Sequence, residues 1–116
     1  MKLIASLLFI SALAFAQGGD AAKGKALFLT YSCYGCHGYA GEGGGPGPRL
    51  AKTKFNQQGF INYLRKPPRP EQMPSYSEKV MTDAQLTDIF AFLQTQPAAK
   101  ALKDVPLLNQ MPKMQQ

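Results

Sequence analysis

The chain is poor in the residues on which most metal and disulfide frameworks depend. Its 116 residues include 2 Cys, 1 His and no Trp. Two Cys and one His are too few for a four-ligand zinc site made from those residues alone. A disulfide-stapled mini-protein is excluded too, because such frameworks need several bridges. The length is that of one domain, which excludes most large enzyme folds.

Negative charge is also scarce, with 7 Asp and Glu against 13 Lys and Arg and a net charge of +6. The hydrophobic fraction of 45% argues against a disordered chain. The sequence shows no internal repeat and no convincing alternating strand pattern. What it does contain is an apolar leader, several helical patterns and one short motif.

The leader is the run from Leu3 to Phe15, which follows the positive start Met1-Lys2. Ala14 and Ala16 stand at the −3 and −1 positions before Gln17, as in a secretory cleavage site. A membrane anchor is the alternative, but the run ends short of the roughly 20 residues that a span needs. The pattern predicts a cleaved signal peptide over residues 1–16 and a periplasmic mature chain without a transmembrane span.

Helical patterns dominate the mature chain. Apolar residues recur at helical spacing from Asp20 to Tyr31, which predicts a first helix with Asp20 as its N-cap. Residues Phe60 to Lys66 are predicted to form a short second helix. A capping box at Thr82 and Gln85 opens a last helix that ends before Pro97. The predicted fold class is therefore all-α.

The helices define the extent of the domain. Residues 17–97 are predicted to form one domain, and residues 98–116 a loosely docked C-terminal tail. Between the helices, residues 38–48 contain six Gly and two Pro, and residues 69–76 are interrupted by Pro70 and Pro74, so both segments are predicted to be loops.

The motif is Cys33-Tyr34-Gly35-Cys36-His37, a C-x-x-C-H sequence that is typical of covalent haem attachment. Two thiols on one helical turn can each add to a vinyl group of one porphyrin, and His37 then lies where its imidazole can bind the iron. A thioredoxin-type redox pair and a structural disulfide between Cys33 and Cys36 are the alternatives. Neither explains the histidine that follows immediately.

A six-coordinate iron needs a second ligand, and the sequence has no other His. The remaining soft candidates in the mature chain are Met73, Met81, Met111 and Met114. Met73 is the predicted ligand, because it precedes Pro74 in an irregular segment between two helices. The alternative is that Met73 fills a gap in the core.

These residues give the chain a resemblance to small bacterial class I cytochromes c over about residues 20–97. The resemblance rests on four further motifs, namely Gly24-x-x-x-Phe28, Ile89 to Leu93 with Phe92 at an aromatic position, Gly47-Pro48-Arg49-Leu50, and Tyr63-Leu64-Arg65-Lys66-Pro67. It implies an all-α class I cytochrome c fold in which the N- and C-terminal helices cross nearly at right angles around one covalent haem c.

The resemblance also implies roles for individual residues. The Pro48 carbonyl would accept a hydrogen bond from His37 and fix its orientation. The Tyr63 hydroxyl would donate to the Met73 sulfur. An apolar wrapping that favours ferrous haem is expected from Phe28, Leu50, Tyr63, Leu86 and Phe92.

Two axial ligands from the protein leave no open position, so the predicted function is one-electron transfer between redox partners rather than catalysis. A haem subunit of a larger dehydrogenase or oxidase is one alternative. A five-coordinate gas sensor or peroxidase is another.

The positive charge points to the kind of partner. Residues 51–79 contain 6 basic and 2 acidic residues, a net +4, whereas residues 80–116 are neutral. A basic surface can steer an acidic redox protein and accelerate its encounter. An ordinary solvated surface is the alternative. Nucleic acid is not expected as a partner of an exported haem protein.

Overall fold

The computed structural model describes residues 18–101 and Asp104. Four helices run through them, α1 (Ala21–Thr30), α2 (Tyr34–His37), α3 (Gln57–Arg65) and α4 (Asp83–Thr95). No strand occurs in these residues, which confirms the predicted all-α class. The predicted signal peptide and the candidates Met111 and Met114 lie outside the described residues.

Both long helices begin where their capping residues predict. The Asp20 carboxylate accepts hydrogen bonds from the amides of Ala22 and Lys23 at the start of α1. At the start of α4, Thr82 and Gln85 form the complete capping box. Neither helix is long and apolar enough to cross a membrane, and the same is true of α2 and α3.

Helix α3 begins at Gln57, three residues before the predicted start at Phe60. The Asn56 side chain is the reason, because its oxygen accepts a hydrogen bond from the Gly59 amide at 2.7 Å and so caps the helix. The apolar pattern starts only at Phe60, so periodicity alone could not show this first turn.

The core lies where α1 packs against α4, and α3 also contacts α4. Gly24 allows the close approach, because a Cβ atom at this position would overlap the Asp88 carbonyl of α4. One turn later the rings of Phe28 and Phe92 meet with their centroids 5.4 Å apart. Both rings are buried.

The segment between α2 and α3 is fastened to the end of α4. The Lys52 amide donates to the Leu93 carbonyl at 3.0 Å, and the Gln94 side-chain amide donates to the Thr53 carbonyl at 3.0 Å. The Arg49 guanidinium donates to the Pro97 carbonyl. These bonds hold residues 49–53 against the C-terminal end of α4 and the residue Pro97 that follows it.

Candidate functional site

The C-x-x-C-H motif occupies a single helical turn directly after α1. The His37 amide donates to the Cys33 carbonyl at 3.0 Å, so Cys33 lies one turn from His37 and Cys36 beside it. The Cys33 amide in turn donates to the Phe28 carbonyl at 3.1 Å. The motif is thereby anchored to the helix whose Gly24 and Phe28 pack on α4.

Both cysteines of the motif are free thiols, without the disulfide of the alternative interpretation. Cys36 is exposed, whereas Cys33 is half-buried. Burial raises the pKa of the Cys33 thiol. One thiol thus faces solvent and the other the protein interior.

The imidazole of His37 is held in one orientation. Its Nδ1 atom lies 2.7 Å from the Pro48 carbonyl oxygen, and only 6% of the residue is exposed. Because a carbonyl oxygen can only accept, Nδ1 carries the proton and Nε2 keeps its lone pair. The structure therefore contains the contact that the resemblance implied, and it leaves Nε2 as the nitrogen able to bind a metal.

A glycine brings the second loop up to this ring. A Cβ atom at Gly47 would lie 2.7 Å from His37 Nδ1 and 2.8 Å from the Cys36 carbonyl oxygen. The Gly47 amide donates to that same carbonyl at 2.9 Å. The glycine is required at this position because any side chain would displace the imidazole.

Met73 lies half-buried in the segment between α3 and α4 and packs against the core. Its amide donates to the Arg69 carbonyl at 3.0 Å. The competing candidate Met81 is 1% exposed and belongs to the core itself. Met73 is the less buried of these two candidates, so its side chain contributes less to the packing of the core.

The Met73 segment contacts the end of α1 through Tyr76, a residue that the sequence did not single out. The Tyr76 ring packs edge-on against Tyr31 at a centroid distance of 6.3 Å. Burial raises the pKa of the Tyr76 phenol, with further contributions from Cys33 and Cys36. Tyr76, Tyr31 and Cys33 each pack against the same buried core.

The other predicted wrapping residues differ in burial. Phe28, Leu86 and Phe92 are buried in the core, and Leu50 is half-buried. Tyr63 is 39% exposed and its ring packs on Phe55 at 5.5 Å. Within the described residues its hydroxyl makes no hydrogen bond to Met73, so the role of Tyr63 stays a prediction.

The residues present fit a covalent haem. Two free thiols share one helical turn, and the adjacent imidazole is held by a carbonyl with its other nitrogen available. Residues 18–101 and Asp104 contain no cluster of three or more His, Cys, Asp or Glu side chains that could hold a bare metal ion. Two thiols and an adjacent imidazole on one turn are the groups that covalent haem attachment uses.

Comparison with known proteins gives one finding. The model of the family described as "Cytochrome C oxidase, cbb3-type, subunit III" matches residues 19–93, more than half of the chain. No curated protein and no solved structure matched the chain.

Proposed function

Since the chain belongs to the cytochrome c family described as cytochrome c oxidase, cbb3-type, subunit III, it binds haem c covalently, and we propose that it is an exported one-electron carrier with His37 and Met73 as the axial ligands. Haem-based electron transfer is the function of this domain. The observation that carries the finer proposal is the His37 imidazole, fixed by Pro48 directly after the two free thiols.

The chain's own groups have separable tasks. The Cys33 and Cys36 thiols would hold the haem through thioether bonds. When bound, the haem iron supplies reversible one-electron chemistry between its ferrous and ferric states. The Pro48 carbonyl keeps the proton on His37 Nδ1, which makes Nε2 the better donor to a metal.

Met73 is proposed for the second axial position. A thioether ligand favours ferrous iron and raises the reduction potential. If His37 and Met73 both bound the iron, no coordination position would be left for oxygen or peroxide, which is the reason to prefer electron transfer over gas sensing or peroxidase activity. The buried position of Met81 in the core supports this choice.

The proposed partner is a redox protein with an acidic surface. Five basic side chains of residues 51–79 are exposed, namely Lys52, Lys54, Lys66, Arg69 and Lys79. Arg65 is not among them, because its guanidinium is paired with Asp83. A cluster of free positive charges increases the rate of encounter with an acidic partner.

A test of the closed iron site is carbon monoxide binding. The ferrous holoprotein is expected to keep its spectrum under carbon monoxide, because both axial positions are filled, whereas Met73→Ala is expected to bind the gas. Carbon monoxide binding by the unmodified protein at neutral pH would favour the five-coordinate alternative.

A second candidate function is that of a haem subunit in an oxidase complex, which the description of the matching family favours. Fractionation of the native source distinguishes the two. A carrier is expected in the periplasmic extract as a small protein, whereas a subunit is expected to co-migrate with membrane complexes after mild detergent extraction.

A further inference from the structure

We propose that Arg65 is a positioning residue that holds the Met73 loop, residues 66–82, in the geometry needed for ligation, an inference that rests on the proposed role of Met73. Arg65 is the last residue of α3, and its side chain is 20% exposed. Arg65 directly precedes the loop, whereas two of its hydrogen-bond partners lie in the far half of the loop and the third, Asp83, begins α4.

The guanidinium group binds three acceptors that are distant in sequence. Nη1 donates to the Tyr76 carbonyl at 2.9 Å and to the Met81 carbonyl at 2.6 Å. Nη2 donates to the Asp83 carboxylate. A planar guanidinium offers five N–H donors in fixed directions, so a lysine at this position could not reproduce all three bonds.

Tyr76 is where this contact reaches the proposed ligand. Its carbonyl accepts from Arg65, and its amide donates to the Leu64 carbonyl at 2.8 Å. Both backbone groups of Tyr76 are therefore bound to the end of α3. Met73 stands three residues earlier, and its own amide bonds only within the loop, to Arg69. The position of Met73 relative to α3 thus depends on the bonds at Tyr76 as well as on the packing of Met73 against the core.

Helix electrostatics favour the same arrangement. Arg65 places a positive charge at the C-terminus of α3, and Asp83 places a negative charge in the first turn of α4. Each charge stabilises the dipole of its own helix, and the ion pair joins the two helix ends that bound the loop. The Arg65 contacts thereby fix both ends of the loop.

The consequence is a smaller conformational freedom for Met73. Because residues 76, 81 and 83 are already fixed, the loop would lose little further conformational entropy when the Met73 sulfur binds the iron. Without the guanidinium, Tyr76 keeps one bond to α3 and the ion pair is lost. The α1–α4 core and the His37–Pro48 contact contain no Arg65 atom in their hydrogen bonds, so they are expected to persist.

Imidazole competition measures this effect on the ferric holoprotein. Imidazole binds only when Met73 has left the iron, so its apparent affinity reports the population of the open loop. Arg65→Met is expected to raise this affinity about tenfold, in proportion to that population, and Arg65→Lys to raise it less. The matched control is Arg69→Met, which removes an exposed charge from the same loop but no side-chain hydrogen bond.

Hydrogen exchange provides a readout that does not involve the iron. Amides of residues 66–82 should exchange faster in Arg65→Met than in Arg69→Met, while peptides from α1 and from α4 beyond its first turn should be unchanged. If Arg65→Met does not accumulate as a folded protein, Asp83→Asn takes its place, since it removes the short ion pair with Asp83 and keeps both carbonyl contacts and the longer pair with Glu78, at 4.0 Å. It is then expected to raise the imidazole affinity about threefold, in the same proportion.

The two hypotheses fail in different ways. Unchanged imidazole affinity and unchanged loop exchange in Arg65→Met, or in Asp83→Asn where it replaces that variant, would overturn the role of Arg65. An equal effect of Arg69→Met would also overturn it, because charge alone would then be the cause. Absence of the spectral signature of sulfur ligation in the unmodified ferric protein would instead refute Met73 as ligand. Hydrogen exchange would then still test whether Arg65 holds the loop in place.

Discussion

The hydrogen bond from His37 Nδ1 to the Pro48 carbonyl decides which nitrogen of the ring can bind a metal. It exists because Gly47 lets the backbone approach to a distance that no side chain would allow. At the scale of single residues, the site therefore depends on a glycine as much as on the ligand itself. Arg65 is proposed to support Met73 in a comparable way, because its three hydrogen bonds hold the loop that carries Met73.

Replacement of Met73 tests the second axial ligand. The ferric protein is expected to show the weak near-infrared charge-transfer band of sulfur ligation, and Met73→Ala to abolish it because the thioether is gone. Met81→Leu is the control, since it conserves the volume of a buried side chain and is expected to keep the band. Loss of the band in Met81→Leu with retention in Met73→Ala would reverse the assignment.

At the scale of helices, most of the fold could be predicted because local signals mark the helix ends. Asp20 and the Thr82–Gln85 capping box predicted the starts of α1 and α4. The start of α3 could not be predicted from periodicity, because its first turn, Gln57 to Gly59, contains no apolar residue. A cap at Asn56 was the signal that would have shown it.

The site was predictable to a similar degree. The motif from Cys33 to His37 is contiguous, so its chemistry is visible in the sequence. The contacts of Arg65 join residues 11, 16 and 18 positions apart and have no sequence period. The sequence shows only that Arg65 lies in the last turn of a predicted helix, shortly before Pro67 and Pro68. Tyr76 was missed for the same reason, since its contacts with Tyr31 and Leu64 arise from the path of the loop.

Gly24→Ala tests helix packing, because close packing and an exposed helix face predict changes of opposite sign in the free energy of unfolding. On an exposed helix face, Gly→Ala stabilises by about 1 kcal/mol through helix propensity. At Gly24 the added methyl group would overlap the Asp88 carbonyl, so Gly24→Ala is expected to destabilise by about 1–3 kcal/mol instead. Urea unfolding of the holoprotein measures the change in the free energy of unfolding.

The reverse substitution at a neighbouring position is the control. Ala26 is exposed on the same helix, and Ala26→Gly is expected to cost only about 1 kcal/mol from propensity. A stabilised Gly24→Ala variant would show that α1 and α4 do not pack as closely as described.

At the scale of the whole molecule, charge is distributed unevenly along the chain. The exposed basic residues concentrate in the segment that leads into and past Met73, whereas residues 80–116 carry no net charge. Electrostatic steering acts on a partner before contact, over a Debye length of about 8 Å at physiological ionic strength. Such an asymmetry affects rates of association more than the stability of the fold.

Salt dependence tests this account of the partner surface. Electron exchange with an acidic redox protein is expected to slow as ionic strength rises. Reversal of Lys52, Lys54 and Lys66 to Glu is expected to slow it further and to invert the salt trend, without a change in the haem spectrum. Stopped-flow measurements at several ionic strengths give the rate constants.

The control variant reverses three lysines outside residues 51–79, so that the net charge changes by the same amount. Lys23, Lys25 and Lys100 are exposed outside this segment, and their reversal to Glu is expected to have a smaller effect. Equal effects of the two triple variants would mean that only the net charge matters. A flat salt profile for the unmodified protein would mean that the basic surface serves solubility alone.

The central claim, one haem held covalently by Cys33 and Cys36, is tested most directly by mass spectrometry of a tryptic digest. Cleavage after Lys25 and Arg49 releases residues 26–49, which contain both thiols and His37. The account predicts that this peptide carries the added mass of one haem after acid-acetone extraction. Recovery of the peptide at its bare mass, or with an internal disulfide, would contradict it.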